Sequence, residues 1–205
     1  MPIILTGFEP FGDVQVNPSE QIVRTLADRY PDELVATILP TVFAEAERQI
    51  LELIERVRPE AVVSLGVAAG RPAITLERVA LNLDDTDQPD NSGMVAAGQP
   101  IAADGPLAYW STLPLEAMRD SVAGLGIPVR ISNHAGTYVC NHVFFAARHA
   151  IESRGLQIPC GFIHVPALTQ PGVTLPYPSM ELEPMISGIE QCLQVLRDSL
   201  APAGH

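Results

Sequence analysis

One of the three cysteines lies where a strand is followed by a turn and a helix. The sequence predicts a strand over 127–132 and a helix over 143–151, and Gly136 permits a sharp turn between them. Thr137 suits the N-cap position, which would place Cys140 in the first helical turn. Free backbone N–H groups and the positive end of the helix dipole favour an anion there, so we expect a lowered thiol pKa. Cys140 is therefore a candidate nucleophile.

The other two cysteines have apolar surroundings. Cys160 begins the apolar run Cys-Gly-Phe-Ile. Cys192 shares a helical stripe with Ile189 and Leu196. Both patterns are typical of buried cysteines that act as small hydrophobic residues, and a structural role of that kind is also open for Cys140. An odd number of cysteines at irregular spacing predicts no disulfide framework and suits a reducing cytoplasm.

A cysteine nucleophile needs a base, and the chain offers five histidines. His164 is the strongest candidate because it lies at the end of an apolar strand-like segment, where active-site residues of parallel sheets gather. His134 lies in the turn before the cysteine. His142 and His149 fall on the predicted helix and are typical of surface or satisfied core residues, and His205 is the last residue.

The base in turn needs an orienting group, and Glu77 is the unusual carboxylate. It interrupts the strand-like segment 74–82, and charged residues are seldom buried without a partner. An ion pair with Arg71 or Arg78, or an ordinary solvent-facing position, would explain it equally well. From the residues alone these alternatives stay open.

Several ligand classes lack their motifs. The acidic segment 84–93 superficially resembles a calcium loop but has neither its alternating spacing nor its terminal Glu, and a solvated loop is the better interpretation. The segment 66–70 is not a phosphate-binding or dinucleotide-binding fingerprint. The cysteines and histidines show no zinc-ligand spacing. We therefore predict that the protein uses neither a metal nor a cofactor.

Charge and hydropathy exclude other partners. A net charge of −12 argues against nucleic acid, which requires clustered Lys and Arg. No apolar stretch approaches the ~20 residues of a membrane span. The chain opens directly into the strand-like segment 3–6, without the pattern of a signal peptide. The expected location is the cytoplasm.

The elements that must position these residues alternate between strand and helix. We predict strands over 3–6, 34–39, 61–66, 73–82, 127–132 and 160–165, and helices from 17, then over 43–57, 115–125, 143–151 and 181–200. Asn17 is the predicted N-cap of the first helix, with Pro18 following and Glu20 placed for a capping box. The alternation predicts an α/β fold: a single three-layer domain over 1–205, with a largely parallel central sheet and helices on both faces.

Several segments in order along the chain resemble the pyroglutamyl peptidase I (pyrrolidone-carboxylate peptidase) family of cysteine peptidases. The matching segments are Leu-Thr-Gly-Phe-Glu-Pro-Phe-Gly at 5–12, Asn-Pro-Ser at 17–19, Glu-Arg-Val-Ala at 77–80, Asn82, Pro-Asp-Asn at 89–91, Gly-Pro at 105–106, 109–114, 132–133, Ala-Gly-Thr-Tyr-Val-Cys-Asn at 135–141 and Gly-Phe-Ile-His-Val-Pro at 161–166. The resemblance covers nearly the whole chain.

The resemblance implies a Cys–His–Glu triad made of Cys140, His164 and Glu77. It implies removal of an N-terminal pyroglutamyl residue from peptides through an acyl-enzyme on the cysteine. Four further residues match positions that surround the pyroglutamyl ring: Phe8, Phe11, Tyr138 and Val139. It also implies a homo-oligomer, commonly a tetramer, in the bacterial cytoplasm.

Three positions depart from the family pattern. Val67 stands where the family usually has Gln, and Asp87 and Gln88 stand where it commonly has Arg followed by an apolar residue. These changes affect the predicted mouth of the pocket rather than the triad. The alternative function is a non-catalytic or phosphorylase-like α/β protein that binds small molecules, with Cys140 structural.

Overall fold

The computed structural model describes residues 1–12 and 15–201, so His205, one of the five histidines considered above, lies outside the described residues. The strands are β1 (Ile3–Phe8), β2 (Leu34–Leu39), β3 (Ala61–Val67), β4 (Ile74–Leu81), β5 (Ala108–Trp110), β6 (Val129–His134), β7 (Cys160–Val165), β8 (Ala167–Leu168) and β9 (Ser179–Met180). The helices are α1 (Pro18–Arg29), α2 (Phe43–Val57), α3 (Leu115–Gly124), α4 (Val139–Ser153) and α5 (Leu182–Leu200).

A mixed, mostly parallel sheet forms the centre of the molecule. Its strand order is β2-β1-β3-β7-β4-β5, and β6 pairs with the other edge of β4. The pairs β1–β2, β1–β3, β3–β7 and β4–β6 are parallel, whereas β4 runs antiparallel to β7 and β5. The predicted fold class is therefore confirmed, with the antiparallel position of β4 as an addition that the alternation of elements did not indicate.

Helices cover both faces of this sheet. One hydrophobic cluster joins side chains of α1, α3 and α5 to the strands, and a second joins side chains of α2 and α4 to the opposite face. Every residue of β1, β3 and β7 is buried. Strands buried on both faces need continuous apolar runs, which is the pattern that these three segments carry.

The first helix has the predicted N-cap, but the predicted capping box does not form. The Asn17 side chain accepts a hydrogen bond from the Ser19 N–H at 3.1 Å, and Pro18 occupies the first turn. Glu20 does not complete a capping box, because its carboxylate pairs with Arg24 at 2.8 Å. Ser19 Oγ instead accepts the Phe8 N–H at 3.0 Å, which fixes the chain after β1 to the start of α1.

The long acidic loop between β4 and β5 is not a solvated loop throughout. Asp84 and Asp90 are buried, whereas Asp85 and Asp87 are exposed. Asp90 Oδ2 accepts the Phe43 N–H at 3.1 Å and so caps α2 from a distant part of the chain. Burial opposes its ionisation, but hydrogen bonds from Ser92 and from backbone N–H groups outweigh it and lower the pKa of Asp90.

Candidate active site

Cys140 is the second residue of α4, in the first turn as predicted. The turn before the helix contains Gly136 at φ +87°, a conformation that L side chains rarely adopt. The N-cap is Tyr138, so the prediction of Thr137 as cap was wrong; the Thr137 hydroxyl donates to the Asp85 carbonyl instead. An α-helix leaves its first N–H groups without helical partners, and these surround the cysteine backbone.

The Cys140 sulphur lies against the backbone of a neighbouring strand. A Cβ atom on Gly66 would stand 2.9 Å from Cys140 Sγ and 2.9 Å from Phe162 Cζ. Gly66 is paired with His164 in the register of β3 and β7. The glycine therefore leaves room for the sulphur directly beside the strand position that carries the histidine, a role that its sequence context did not reveal.

His164 and Glu77 meet across the antiparallel pair of β7 and β4. His164 Nδ1 lies 2.9 Å from Glu77 Oε1, and both side chains are buried, at 4% and 0% exposure. Because a carboxylate only accepts, Nδ1 carries the hydrogen and Nε2 stays free to accept a proton. This is the arrangement that a general base requires of its orienting group.

Glu77 also forms the ion pair considered as its alternative explanation. Arg71 Nη1 lies 2.5 Å from Glu77 Oε1 and 2.8 Å from Thr75 Oγ1. The Thr75 hydroxyl donates to the same carboxylate oxygen at 3.1 Å. The other candidate partner, Arg78, donates to Asn133. The two explanations of Glu77 thus hold together, and Arg71 and Thr75 join the cluster as residues that the sequence did not place there.

Burial and neighbouring charges together set the ionisation of Cys140 and Glu77. Burial and the Glu77 charge raise the pKa of the Cys140 thiol to about 12, against the opposing charge of Arg71. For Glu77, burial is outweighed by His164 and Arg71, so its pKa is lowered and it is ionised at neutral pH. The expectation of a lowered thiol pKa was therefore wrong, because enclosure outweighs the helix N-terminus. Burial thus favours the neutral thiol of Cys140, whose side chain is half-buried in the structure.

A cavity over the ends of β3 and β7 is lined by four of the seven predicted site residues. Cys140, His164, Phe11 and Tyr138 all line it; we call it the Cys140 cavity, and its remaining lining residues are Val67, Ala68, Ala69, Arg71, Thr86, Gln88 and Ala135. The Phe11 and Tyr138 rings stand 5.8 Å apart between centroids. The Tyr138 hydroxyl donates to the Pro89 carbonyl at 3.0 Å, which holds this wall against the acidic loop.

Two of the four predicted ring-binding residues lie behind the cavity rather than on its wall. Phe8 is 1% exposed and packs against Phe162 with 6.3 Å between ring centroids. Val139 is fully buried in the same hydrophobic cluster. Alternation along β1 turns the Phe8 side chain into the core, which a motif match alone does not show.

The three departures from the family pattern differ in their positions. Val67 and Gln88 line the Cys140 cavity. Asp87 is exposed and is not among the described residues that line it.

Asn141 is a further residue that sequence reasoning missed. Its buried side chain accepts the Leu81 N–H at 2.8 Å and donates to the Leu81 and Leu83 carbonyls at 2.9 and 3.1 Å. These bonds fix the first turn of α4 to the end of β4, the strand that carries Glu77. The sequence did carry a signal, because Asn141 closes the matched segment 135–141, but the match assigned no role to it.

The other described histidines and cysteines lie outside the Cys140 cavity. His142 is buried between Asp84 at 2.7 Å and Glu47 at 3.2 Å, and His149 Nδ1 lies 2.9 Å from the Tyr109 hydroxyl. Although burial opposes it, the two carboxylates raise the pKa of His142 to about 9. His134 is exposed, and Cys160 and Cys192 are buried.

Two absences concern residues 1–12 and 15–201, the part of the chain that the structure describes. No group of three His, Cys, Asp or Glu side chains in these ranges could hold a metal ion. None of the helices found there combines the length and apolarity needed to cross a membrane.

A cysteine beside a buried His–Glu pair, on a three-layer α/β fold, is the arrangement of a cysteine-dependent hydrolase. The model of the pyroglutamyl peptidase family matches residues 1–198, and the chain belongs to this family.

Named relatives and solved structures agree with that assignment. The pyrrolidone-carboxylate peptidase of Bacillus mycoides is 40% identical, covering 94% of this chain and 91% of the relative, and that of Vibrio vulnificus is 41% identical, covering 98% and 97%. The crystal structure of pyrrolidone carboxyl peptidase from Pyrococcus furiosus matches with a TM-score of 0.92 at 34% identity, over 98% of this chain and 100% of that one. Pyroglutamyl peptidase I from Bacillus amyloliquefaciens gives 0.90 at 36%, over 96% and 95%.

Proposed function

We propose that this protein is a cysteine exopeptidase that removes an N-terminal pyroglutamyl residue from peptides, with Cys140 as nucleophile, His164 as base and Glu77 as orienting group. The observation that carries the proposal is the 2.9 Å contact between His164 Nδ1 and Glu77 Oε1 beside a cysteine in the same cavity. Family membership and the names of the relatives support the substrate class.

The first step follows from the position of His164, whose Nε2 is free while its Nδ1 is held by Glu77. Cys140 Sγ attacks the pyroglutamyl carbonyl carbon while its proton passes to His164 Nε2, so a pre-formed thiolate is not needed. The Glu77 carboxylate stabilises the imidazolium that forms. The carbonyl oxygen becomes negative, and the N–H groups at the start of α4 are placed to donate to it.

The second half returns the proton. His164 protonates the leaving amine as the C–N bond breaks, which leaves a thioester between the pyroglutamyl group and Cys140. His164 then takes a proton from water, the hydroxide oxygen attacks the thioester carbonyl, and the sulphur leaves and is reprotonated. Free pyroglutamate and the thiol are regenerated.

The walls of the cavity suit a small flat ring. Phe11 and Tyr138 enclose the pyroglutamyl ring, while Phe8 and Val139 act from the layer behind, through the packing of Phe162 and the start of α4. Polar groups that bind the lactam would reject proline, which lacks the ring carbonyl, because they would be left unpaired.

Assembly and location are part of the proposal. We propose a homo-oligomer, a tetramer by family resemblance, because the edge strand β5 and the residue before it expose Trp110 and Leu107, at 66% and 91%. Cys140, Cys160 and Cys192 are all free, which suits the reducing cytoplasm. Light scattering of the purified protein measures the assembly directly.

The decisive test compares Cys140→Ala with Cys160→Ser. We expect hydrolysis of pyroglutamyl p-nitroanilide to fall roughly 10⁶-fold in the first variant, because the nucleophile is gone. The second should keep its turnover, since Cys160 is buried outside the cavity. Near-normal turnover in Cys140→Ala would refute the proposal and favour a binding protein in which the cysteine is structural.

A further inference from the structure

A second cavity adjoins the Cys140 cavity. The two share Val67 and Ala69, at and just beyond the end of β3. Val67 directly follows Gly66, against which the Cys140 sulphur lies. The second cavity therefore begins one residue after Gly66, the strand residue beside the nucleophile.

The two cavities meet at the end of β3. Successive strand residues face opposite sides, and Gly66 faces the side where Phe162 and Cys140 lie. Val67 faces the other side, toward the layer formed by α1 and α5. The residue that follows a pyroglutamyl group held at Cys140 would therefore lie close to Val67 and Ala69, which line both cavities.

The described residues that line the second cavity are mostly apolar and carry no charge; we call this cavity the apolar groove. Its described lining residues include no Asp, Glu, Lys, Arg or His, although the chain carries a net charge of −12. Apolar side chains line most of it: Val16, Pro18, Val67, Leu168, Val173 and Leu175. A charged side chain entering the groove would lose water without gaining a partner, whereas an apolar one would bury its surface.

We propose that this apolar groove receives the side chain of the residue that follows pyroglutamate, and that the enzyme prefers a large apolar residue there. The inference rests on the proposed function, because it takes the leaving segment of that reaction as the occupant. Continuity with the Cys140 cavity through Val67 and Ala69 is what assigns the groove to the substrate.

The test uses a series of pyroglutamyl-X-amides in which X is Leu, Phe, Ala, Lys or Asp. All share one acyl-enzyme, so kcat/KM reports binding and acylation and is independent of deacylation. We expect Leu and Phe to exceed Ala by about 10-fold, since each additional buried methylene strengthens binding several-fold. Lys and Asp should fall below Ala.

The informative variant places a charge in the groove. Val173 is half-exposed and lines the groove, so Val173→Asp should lower the Leu-to-Ala ratio and raise the Lys-to-Asp ratio several-fold. General damage to the fold would not change these two ratios in opposite directions. Val173→Thr provides a milder change of the same side chain.

Leu156→Asp is the matched control. Leu156 is 40% exposed and lies in another cavity, beside Met1 and Ile158. The same change of chemistry there should leave both ratios at their wild-type values.

The outcomes separate this inference from the function on which it rests. If the wild type does not cleave pyroglutamyl p-nitroanilide, the proposed function fails. If it does, but Leu and Ala differ by less than two-fold or Val173→Asp changes neither ratio, the groove is not a substrate site. If Val173→Asp dissociates an oligomer in light scattering while both ratios stay constant, the groove is an interface between copies, and the inference is overturned.

Discussion

Replacing Gly66 with alanine tests how the sheet positions the nucleophile. The added Cβ would stand 2.9 Å from Cys140 Sγ, whereas non-bonded heavy atoms prefer about 3.5–4.0 Å. Gly66 is not among the glycines with positive φ, so the backbone itself accepts alanine. The change is therefore steric, and it acts on the sulphur and on Phe162.

The clash gives the size of the expected effect. Relieving it by moving the sulphur alone requires a displacement of at least about 0.6 Å, and a misplacement of 1 Å costs on the order of 10²-fold in rate. The Phe162 ring, which is fully buried between Phe8 and Phe144, has little freedom to move instead. We expect kcat/KM for pyroglutamyl p-nitroanilide to fall about 10- to 50-fold, mainly through kcat.

The assay combines kinetics, alkylation of Cys140 by iodoacetamide and thermal unfolding. Gly124→Ala is the control, since a Cβ there would meet no atom within 4 Å and the site is at the end of α3. That variant should keep kcat/KM. A folded Gly66→Ala protein with kcat/KM within two-fold of wild type would refute the positioning role of Gly66.

Three further predictions concern the charged groups. Replacing Glu77 with Gln should lower kcat less than His164→Ala does, because an orienting group contributes less than the base; equal losses in steady-state kinetics would contradict the triad roles. The pKa of His142 is raised from 6.5 to about 9, so its contribution to the free energy of unfolding is complete below pH 6.5 and is lost as the pH rises through 9. At about 1.4 kcal/mol per pH unit, the free energy of unfolding measured with denaturant should fall by about 3 kcal/mol over this range in the wild type but not in His142→Gln. If the free energies of the two proteins change with pH in parallel, the role of His142 is refuted. Asp87 should disfavour peptides that carry an acidic residue after pyroglutamate, and Asp87→Arg should relieve this bias through KM, more at low salt than at high salt. Because the carboxylate is exposed, the effect should be less than ~1 kcal/mol. If the acidic-to-basic ratio of kcat/KM does not change, Asp87 is only a solvated loop charge.

The sequence determined the features that depend on neighbouring residues. The bounds of α2 followed from its apolar periodicity, and the cap of α1 followed from Asn17 and Pro18. Gly136 marked the turn that precedes the Cys140 helix. Each of these depends on contacts within about one helical turn, so the local sequence contains the necessary information.

Motif resemblance added residues that local patterns left open. Glu77 was equally explained by an ion pair until the motifs placed it beside Cys140 and His164 in one triad. The structure shows why both explanations had support, because Glu77 Oε1 contacts His164 and Arg71 together.

Only the tertiary structure decided the register and enclosure of the site. His164 and Glu77 meet because β4 runs antiparallel to β7, a pairing of residues 87 positions apart that no local pattern specifies. The same distant packing raises the pKa of the Cys140 thiol, chiefly through burial, against the effect of the helix N-terminus. The residue types that do chemistry can be found from the sequence, but their ionisation depends on surroundings that exist only once distant strands have paired.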